Sequence, residues 1–548
     1  MALNIISIIK KNYTQKELFC RFIQGGERAD ISYKELLQRS FDYKYYFKKV
    51  GVKKGDVVLI ILKHSPNLLY SFVGAMLNGS IPSILPPPSE KQDISLYRES
   101  IEALSRLIKA KSIVTFKENL SEIEIIKKDI GIDVVLPEHI SRNTGIEWEW
   151  PIAESRDIAF LQHSSGTTGL RKGVALSHTA VLNQIDNYSK TINLHNEDVI
   201  VSWLPLYHDM GLIACFILPL LKKIPVVMMD TFEWVNNPSM LFREIQLNKG
   251  TLCWLPNFAF NFLANCVDTK SETYDLSSIR VFINCSEPCK VHSFKIFYEK
   301  FKCCGLKKEA LQTCYAMAEN VFAISQSNIN KEVRVDHISK SNFFNSHSAT
   351  KAEHNADCLM FLSVGGIIPN TKIKIVDKYG EELPEKQVGE IAVSSNSLFS
   401  GYFKLESESK SVLNNGWLYT GDMGYISDDE LYITGRKKDL IIVHGKNYYA
   451  HDIEYIANQV EGIKKGRCVA VGIYNELVGS EEAVLIAKTG VESHDERNKI
   501  KHNVKLYVNK SINLVLGDVC LVPLKWIIKT TSGKISRSEN KKKYLKFK

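Results

Sequence analysis

The run LQHSSGTTGLRKGVALSH, residues 161–178, concentrates residue types that bind phosphate. Ser164, Ser165, Gly166, Thr167, Thr168 and Gly169 are small or hydroxylated, and the cations Arg171 and Lys172 follow them. Glycine lets the backbone turn tightly and aim several N–H groups at one point; hydroxyls add donors, and Lys172 adds a mobile positive charge. Such a loop suits polyphosphate oxygens. It is not the common P-loop, because no Gly-Lys-Ser/Thr follows four residues after a glycine. Alone, six residues of Ser, Thr and Gly read more readily as a polar surface turn. The rest of the chain changes that reading.

Four further constellations fit an ATP site. CYAMAEN, residues 314–320, places Tyr315 four residues before Glu319. Its ring can stack on a purine, and Glu319 can ligate Mg²⁺, which prefers carboxylate and phosphate oxygens. A helix start with a surface glutamate is the ordinary alternative. YTGDMGY, residues 419–425, sets Asp422 in a Gly-flanked turn shaped to accept two ribose hydroxyls, although an aspartate there is more often a local cap. Arg436 in TGRKKD can add a contact to the sugar. KTTSGKISR, residues 529–537, presents Lys534 on a Gly-Ser-Thr turn, from which it can swing in to neutralise developing negative charge. Two rival sites fail on spacing. Cys285, Cys289, His292, Cys303 and Cys304 lack the paired form of a structural zinc site. His208 and Asp209 beside Ser202 lack the nucleophile elbow of a hydrolase.

The elements that must position these groups show as a rhythm. Up to residue 150, helix-like stretches alternate with short apolar runs such as Val57 to Leu62, and IPSILPPPS (residues 81–89) reads as a rigid loop. Residues 156–230 and 250–315 repeat a strand, loop, helix order that argues for parallel α/β layers. After Thr371 the texture turns to β, in TKIKIVD, GEIAVSS and ELYITG, and it changes again at GRKKD, residues 435–439. The expected fold class is α/β. A large N-terminal domain, residues 1–437, holds layered α/β subdomains plus a β-rich subdomain, and a small C-terminal α/β domain, residues 438–548, follows it. Residues 325–356 are polar and poor in aliphatics, the mark of a long functional or disordered loop.

Composition excludes several classes. An apolar fraction of 45% and a charged fraction of 24% are those of a soluble globular protein. No run reaches the ~18 uncharged apolar residues of a spanning helix, so no transmembrane segment is expected. Twelve irregularly spaced cysteines without a signal peptide suit a reducing cytoplasm. Of the net charge of +9, most sits in residues 529–548, where eight cations face one acid. A body this close to neutral makes no case for nucleic acid, while the basic tail suits an acidic protein partner.

In order and spacing, these motifs resemble the adenylate-forming enzymes: acyl-CoA ligases, nonribosomal adenylation domains and luciferases. The resemblance runs from Tyr33 to Arg537. It looks most like the fatty acyl-AMP ligases in LPLYHDMGLI (204–213), NCSEP (284–288) and KDLIIVHGKNYYAHDIE (438–454). The resemblance implies that Ser164 to Gly169 with Lys172 form the phosphate loop, Thr168 sharing Mg²⁺ with Glu319. Asn284, Cys285, Ser286, Glu287 and Pro288 would line the adenine edge, and Tyr315 its face, with Ala316, Met317 and Ala318 also in the nucleotide site. Asp422 and Arg436 would hold the ribose, and Lys438 would be the hinge joining the large domain to a mobile C-terminal α/β domain. Lys534, Glu319 and Lys172 would carry catalysis. His208, Asp209 and Trp203 would line the acyl pocket; Phe258, Phe260 and Phe262 are further candidates, though aromatics more often fill a core. Arg171 stands where the family usually has proline, and Cys285-Ser286 replaces Gly-Ala. Neither removes a charged catalytic group.

The implied activity is ATP-dependent conversion of a fatty acid to its acyl-adenylate with release of pyrophosphate. Transfer to the phosphopantetheine thiol of an acyl carrier protein would follow, with ATP and Mg²⁺ as cofactors and a cytoplasmic monomer as the working form. Residues 325–356 fall where those ligases carry an insertion that hinders the rotation needed for CoA thioester formation. Order against the large domain would support that role. An acyl-CoA ligase is the alternative enzyme. A silent nucleotide- or carrier-binding scaffold is the alternative of another class, against which intact Lys172, Glu319, Asp422 and Lys534 speak.

Overall fold

The computed structural model describes residues 3–11, 16–88, 94–142, 148–164, 172–354, 358–443, 446–475, 480–523, 525–529 and 535–548. The chain forms two compact units. One comprises Met1–Arg334, Leu362–Ile373 and Val393–Leu418; the other comprises Val335–Phe361, Lys374–Ala392 and Tyr419–Lys548. The architecture is mixed α/β, as expected.

The first unit is built on two sheets. A nine-stranded sheet contains, as neighbours, Leu311–Ala316, Val281–Asn284, Leu252–Leu255, Ile200–Ser202, Val226–Met229 and Leu18–Gln24, all mutually parallel. Parallel strands buried on both faces read as unbroken apolar runs, and Leu252, Cys253, Trp254 and Leu255 are all fully buried. Helices such as Asn257–Cys266 and Val291–Phe301 supply the crossovers that parallel pairing requires. The six-stranded sheet runs Asp133–Val135, Ser112–Val114, Val57–Ile60, Ile81–Ile84, Ile158–Ser164, Lys172–Ser177. Only its last pair is antiparallel: Ile158–Ser164 and Lys172–Ser177 form a hairpin with Ser164 opposite Lys172. The hydroxyl- and glycine-rich residues therefore fall between two strands in the sequence, and the helix His178–Thr191 comes only after the second.

The apolar run after residue 209 forms a wide helical segment, Met210–Ile217, buried along its whole length. Gly211 is obligatory in its first turn, because a Cβ there would lie 2.3 Å from the Pro205 carbonyl oxygen. That close approach fixes the loop carrying His208 and Asp209. At the start of the His178–Thr191 helix, the His178 ring is 4% exposed and its Nδ1 has no hydrogen-bond partner among the described residues.

Burial pushes the His178 imidazole down to about 4 from 6.5, against the weaker pull of Asp157. The folded chain thus holds this ring neutral, whereas the unfolded chain protonates it below 6.5. Stability is complete above pH 6.5 and falls as pH drops toward 4, by up to about 3 kcal/mol from this group. Urea unfolding of wild type and His178→Gln from pH 7 to 4 checks this. The wild type should lose stability relative to the variant as pH falls, and parallel curves would show that His178 carries none of the acid sensitivity.

In the second unit, Cys468–Asn475, Ser480–Lys488 and Asp518–Val522 form a three-stranded sheet, accompanied by the helices Ala450–Ala457 and His494–Ile512. Leu440–Val443 pairs with Lys446–Tyr449. The strand Glu430–Arg436 pairs antiparallel along Asp422 to Ser427, with Tyr425 stacked on Tyr432 at 4.9 Å.

Two expectations need correction. Asp422 does not sit in a turn: it lies within the strand Trp417–Ser427, and only Gly421 beside it has a positive φ, 70°. The polar stretch 325–356 is not a structureless loop either. It opens in the buried strand Ala323–Gln326 and continues as the strand Val335–Ser339 and the helix Lys340–Ser346. Ser339 caps this helix by accepting from the Asn342 N–H. Phe343 and Phe344 are buried, and their rings meet Tyr449 at 6.4 Å and Tyr448 at 5.3 Å. Asp336 accepts from the Tyr425 hydroxyl at 2.9 Å. Residues 335–354 are therefore packed with the body that includes residues 419–548, whereas order against the large domain was the expectation. Packing also draws the units otherwise than a cut at residue 437, since 335–361, 374–392 and 419–437 belong with the C-terminal residues.

Candidate active site

In the first unit, neighbouring parallel strands deliver the expected nucleotide residues to one edge. Val281–Asn284 and Leu311–Ala316 pair with Asn284 opposite Thr313, so Cys285 to Pro288 and Met317 to Glu319 follow the ends of neighbouring strands, while Tyr315 and Ala316 still pair with Ser325 and Ala323. Open parallel sheets bind ligands at such carboxyl-terminal strand ends. Asn284 is fully buried; its Nδ2 donates to Asn257 Oδ1 at 2.9 Å, while its Oδ1 has no partner among the described residues. A buried acceptor left unpaired is costly and suits an incoming N–H such as the adenine amino group. Ser286 holds a φ of 68°, uncommon for a residue with a Cβ and frequent at binding sites. Glu287 accepts from the Phe258 N–H at 2.9 Å. Tyr315 is buried, Ala316 and Met317 half-buried, and Ala318 buried.

Glu319 lies in the short helical turn Ala318–Asn320 and is 8% exposed, not a surface glutamate. Its Oε1 accepts from the Tyr402 hydroxyl at 2.9 Å, and its backbone carbonyl accepts from the Phe399 N–H at 2.8 Å. Lys172 places its Nζ 4.6 Å from the centre of the same Tyr402 ring. Tyr402 thus joins the expected phosphate cation to the expected magnesium carboxylate. Burial, and then the Glu319 charge, push the Tyr402 phenol well above its ordinary value, so it stays a donor. The sequence reading missed Tyr402. Its local context, SGYFK, carries no chemical signal, and it lies 83 residues from Glu319.

Asp422 and Arg436 come together within the second unit as cross-strand partners: Arg436 Nε donates to Asp422 Oδ1 at 2.9 Å. The carboxylate is buried and the guanidinium half-exposed. Lys438 sits in the turn Lys437–Asp439, where burial, and then Arg436, lower its ammonium below the usual value. Ser165 to Arg171 and Lys534 lie outside the described residues, as does the Ser164 side chain.

The expected acyl residues cluster around a tryptophan pair. Trp203 and Trp234 stack at 3.7 Å and 4°, and neither indole N–H has a partner among the described residues. Phe258 and Phe262 pack edge-on against Trp234, whereas Phe260 is core, fully buried between Phe294 and Phe297. His208 Nδ1 lies 2.5 Å from Asp209 Oδ1, and Asp209 also accepts from the Met210 N–H.

Hard oxygen donors at Glu319, a cation at Lys172 and an unpaired amide acceptor beside a buried aromatic fit a nucleoside triphosphate with its magnesium ion. Fold and site together define an adenylate-forming ligase. The chain belongs to the AMP-binding enzyme family, which matches it over residues 10–403. A medium-chain fatty acid–[acyl-carrier-protein] ligase of Moorena producens is 26% identical, covering 98% of this chain and 94% of its own. A Caulobacter vibrioides protein provisionally named an acyl-CoA synthetase is 30% identical, over 90% of this chain and 87% of its own. A solved structure from a study of fatty acyl-adenylate ligases of E. coli and L. pneumophila superposes with a TM-score of 0.91. It is 26% identical and covers 99% of this chain and 98% of its own.

Proposed function

We propose that this chain joins a fatty acid to AMP, releasing pyrophosphate, and then passes the acyl group to the phosphopantetheine thiol of an acyl carrier protein. The observation that carries the first step is the Lys172–Tyr402–Glu319 cluster beside the Asn284 and Tyr315 strand ends. A fatty acid with a pKa near ~4 to 5 is already ionised at neutral pH, so no general base is needed. Its carboxylate oxygen attacks the α-phosphorus and pyrophosphate leaves. The protein has to bring two anions together and offset the charge that builds on phosphate. Lys172, the 164–169 loop and Lys534 do so directly, and Tyr402 orients Glu319. Glu319 and Thr168 would hold a magnesium ion, which would supply further charge neutralisation on the phosphate oxygens. Asp422 and Arg436 take the ribose, and the chain turns at Lys438 between the two steps.

Transfer to a carrier protein instead of CoA is supported by the carrier-protein ligase among the relatives. The name of the Caulobacter relative favours CoA as the second reading. Mass spectrometry of the purified protein with ATP, Mg²⁺ and a mixed fatty-acid panel, with and without CoA, decides between them. Acyl-adenylate that accumulates and persists when CoA is present supports the carrier-dependent ligase. Its conversion to acyl-CoA would make the chain a CoA ligase, and no acyl-adenylate at all would overturn the reading.

A further inference from the structure

The turn that carries Glu319 holds a strained backbone. Val321, two residues on, has φ 64° and ψ −53°. The Phe322 N–H donates to the Asn320 carbonyl at 2.7 Å, so Asn320, Val321 and Phe322 close a three-residue turn. Such a turn, with positive φ at its centre, is rare and strained. A β-branched residue strains it further, because its Cβ crowds the backbone at positive φ. Val321 is also fully buried. A conformation of this kind persists only where its surroundings enforce it, and it clusters at functional sites.

The enforcing contacts come from two amide side chains. Asn320 Nδ2 donates to the Ala323 carbonyl at 2.7 Å, and Gln184 Nε2 donates to the same oxygen at 3.1 Å. Asn320 Nδ2 also donates to Gln184 Oε1 at 3.4 Å. Both side chains are fully buried, where a low dielectric strengthens these bonds. Ala323 opens the strand Ala323–Gln326, which pairs with Leu311–Ala316, and Gln184 belongs to the helix His178–Thr191. The clasp therefore ties the residue after Glu319 to a strand of the sheet and to a helix. Glu319 itself is held by the Phe399 N–H on its carbonyl and the Tyr402 hydroxyl on its carboxylate.

We propose that Asn320 and Gln184 are positioning residues for acyl-adenylate formation: their clasp on Ala323 keeps Val321 in its strained turn, and that turn sets the direction in which Glu319 presents its carboxylate. This rests on the assignment of Glu319 to magnesium above. Without the clasp, Val321 relaxes toward negative φ and the chain reversal carries Glu319 with it. A displacement of about 1 Å at a reacting group can cost ~10² in rate. Glycine adopts positive φ about as readily as negative φ, so the change Val321→Gly keeps the turn even without the clasp.

The test uses the full chain with Asn320→Ala, Gln184→Met, Val321→Gly and Asn320→Ala/Val321→Gly, and Glu319→Gln as reference. Adenylation is read by ATP–pyrophosphate exchange against Mg²⁺ concentration, with the fatty acid that yields most acyl-adenylate. ATP affinity is read by calorimetry with and without Mg²⁺, and folding by thermal unfolding. Asn320→Ala should lose about tenfold to fiftyfold in kcat/KM for ATP and need about fivefold more Mg²⁺ for half its maximal rate. Gln184→Met should shift the same way by a smaller factor, and it carries the test if Asn320→Ala does not fold. ATP affinity without Mg²⁺ should stay within about twofold of wild type in each variant. Val321→Gly alone should keep exchange within about threefold of wild type, and adding it to Asn320→Ala should restore exchange to about that level. A merely structural role predicts the reverse, since removing a second buried side chain adds to the first loss. A double variant slower than Asn320→Ala overturns the proposal, as does ATP affinity that falls equally without Mg²⁺. Wild-type exchange in Asn320→Ala and Gln184→Met beside a crippled Glu319→Gln overturns it while leaving the glutamate assignment intact. Wild-type magnesium dependence in Glu319→Gln removes that assignment and the proposal together.

Discussion

Replacing Lys534 with alanine is expected to cut acyl-adenylate formation by ~10² or more while leaving stability almost unchanged. The reaction brings a carboxylate against a triphosphate, and negative charge gathers on the bridging and leaving oxygens as the new bond forms. A cation that reaches those oxygens only in the transition state lowers the barrier without tightening ATP binding. The loss should therefore fall on kcat more than on KM for ATP. Outside residues 530–534 the backbone is held by contacts such as those of Asn540 Nδ2 to the Ile528 and Ser536 carbonyls, which the substitution does not touch, so thermal unfolding should hardly move. Acyl-adenylate production at the wild-type rate in this variant would sink the catalytic assignment.

Glu319→Gln should cost as much or more, about 10² to 10³ in kcat/KM for ATP, with a raised magnesium requirement. Glutamine preserves shape and can still accept the Tyr402 hydroxyl, so the variant isolates the charge. Tyr402→Phe is the complement. It keeps the ring under the Lys172 ammonium and removes only the 2.9 Å hydrogen bond to Glu319. A hydrogen bond to a charged group contributes about 1.5–3 kcal/mol, so roughly a tenfold to hundredfold loss is expected there. Initial rates against Mg²⁺ concentration, together with calorimetric titration of ATP and Mg²⁺ into each variant, separate the effects. If Glu319→Gln keeps the wild-type magnesium dependence, the carboxylate is not the ligand and Tyr402 has nothing to orient.

The candidate motifs could be picked out of the sequence because each is local. Gly, Ser and Thr beside Lys172, Tyr315 four residues before Glu319, and Lys534 directly after Ser532 and Gly533 stand out through residue type and short spacing. The α/β class was legible for the same reason: apolar runs such as LCWL, buried on both faces, differ from the alternating TKIKIV. Misreadings arose where a local signal competed with packing. Two glycines around Asp422 suggested a turn, yet pairing with Arg436 keeps this segment in a strand. A low aliphatic content suggested a loose loop at 325–356, yet two adjacent phenylalanines bury themselves against Tyr448 and Tyr449 and order it.

By itself the sequence named candidate groups: hydroxyls, glycines and Lys172 for phosphate, Glu319 for magnesium, Tyr315 for a purine, Lys534 for developing charge, and strands enough to present such groups. Only the tertiary structure decided that Tyr402 bridges Lys172 and Glu319, and that Arg537 pairs with Asp439. The partners in these contacts are 83 and 98 residues apart. Residue spacing reports the period of one helix or strand, about 3.6 or 2 residues, and carries no information on which distant segments will meet. That is decided when sheet register and core packing bring strand ends and helix starts to the same place.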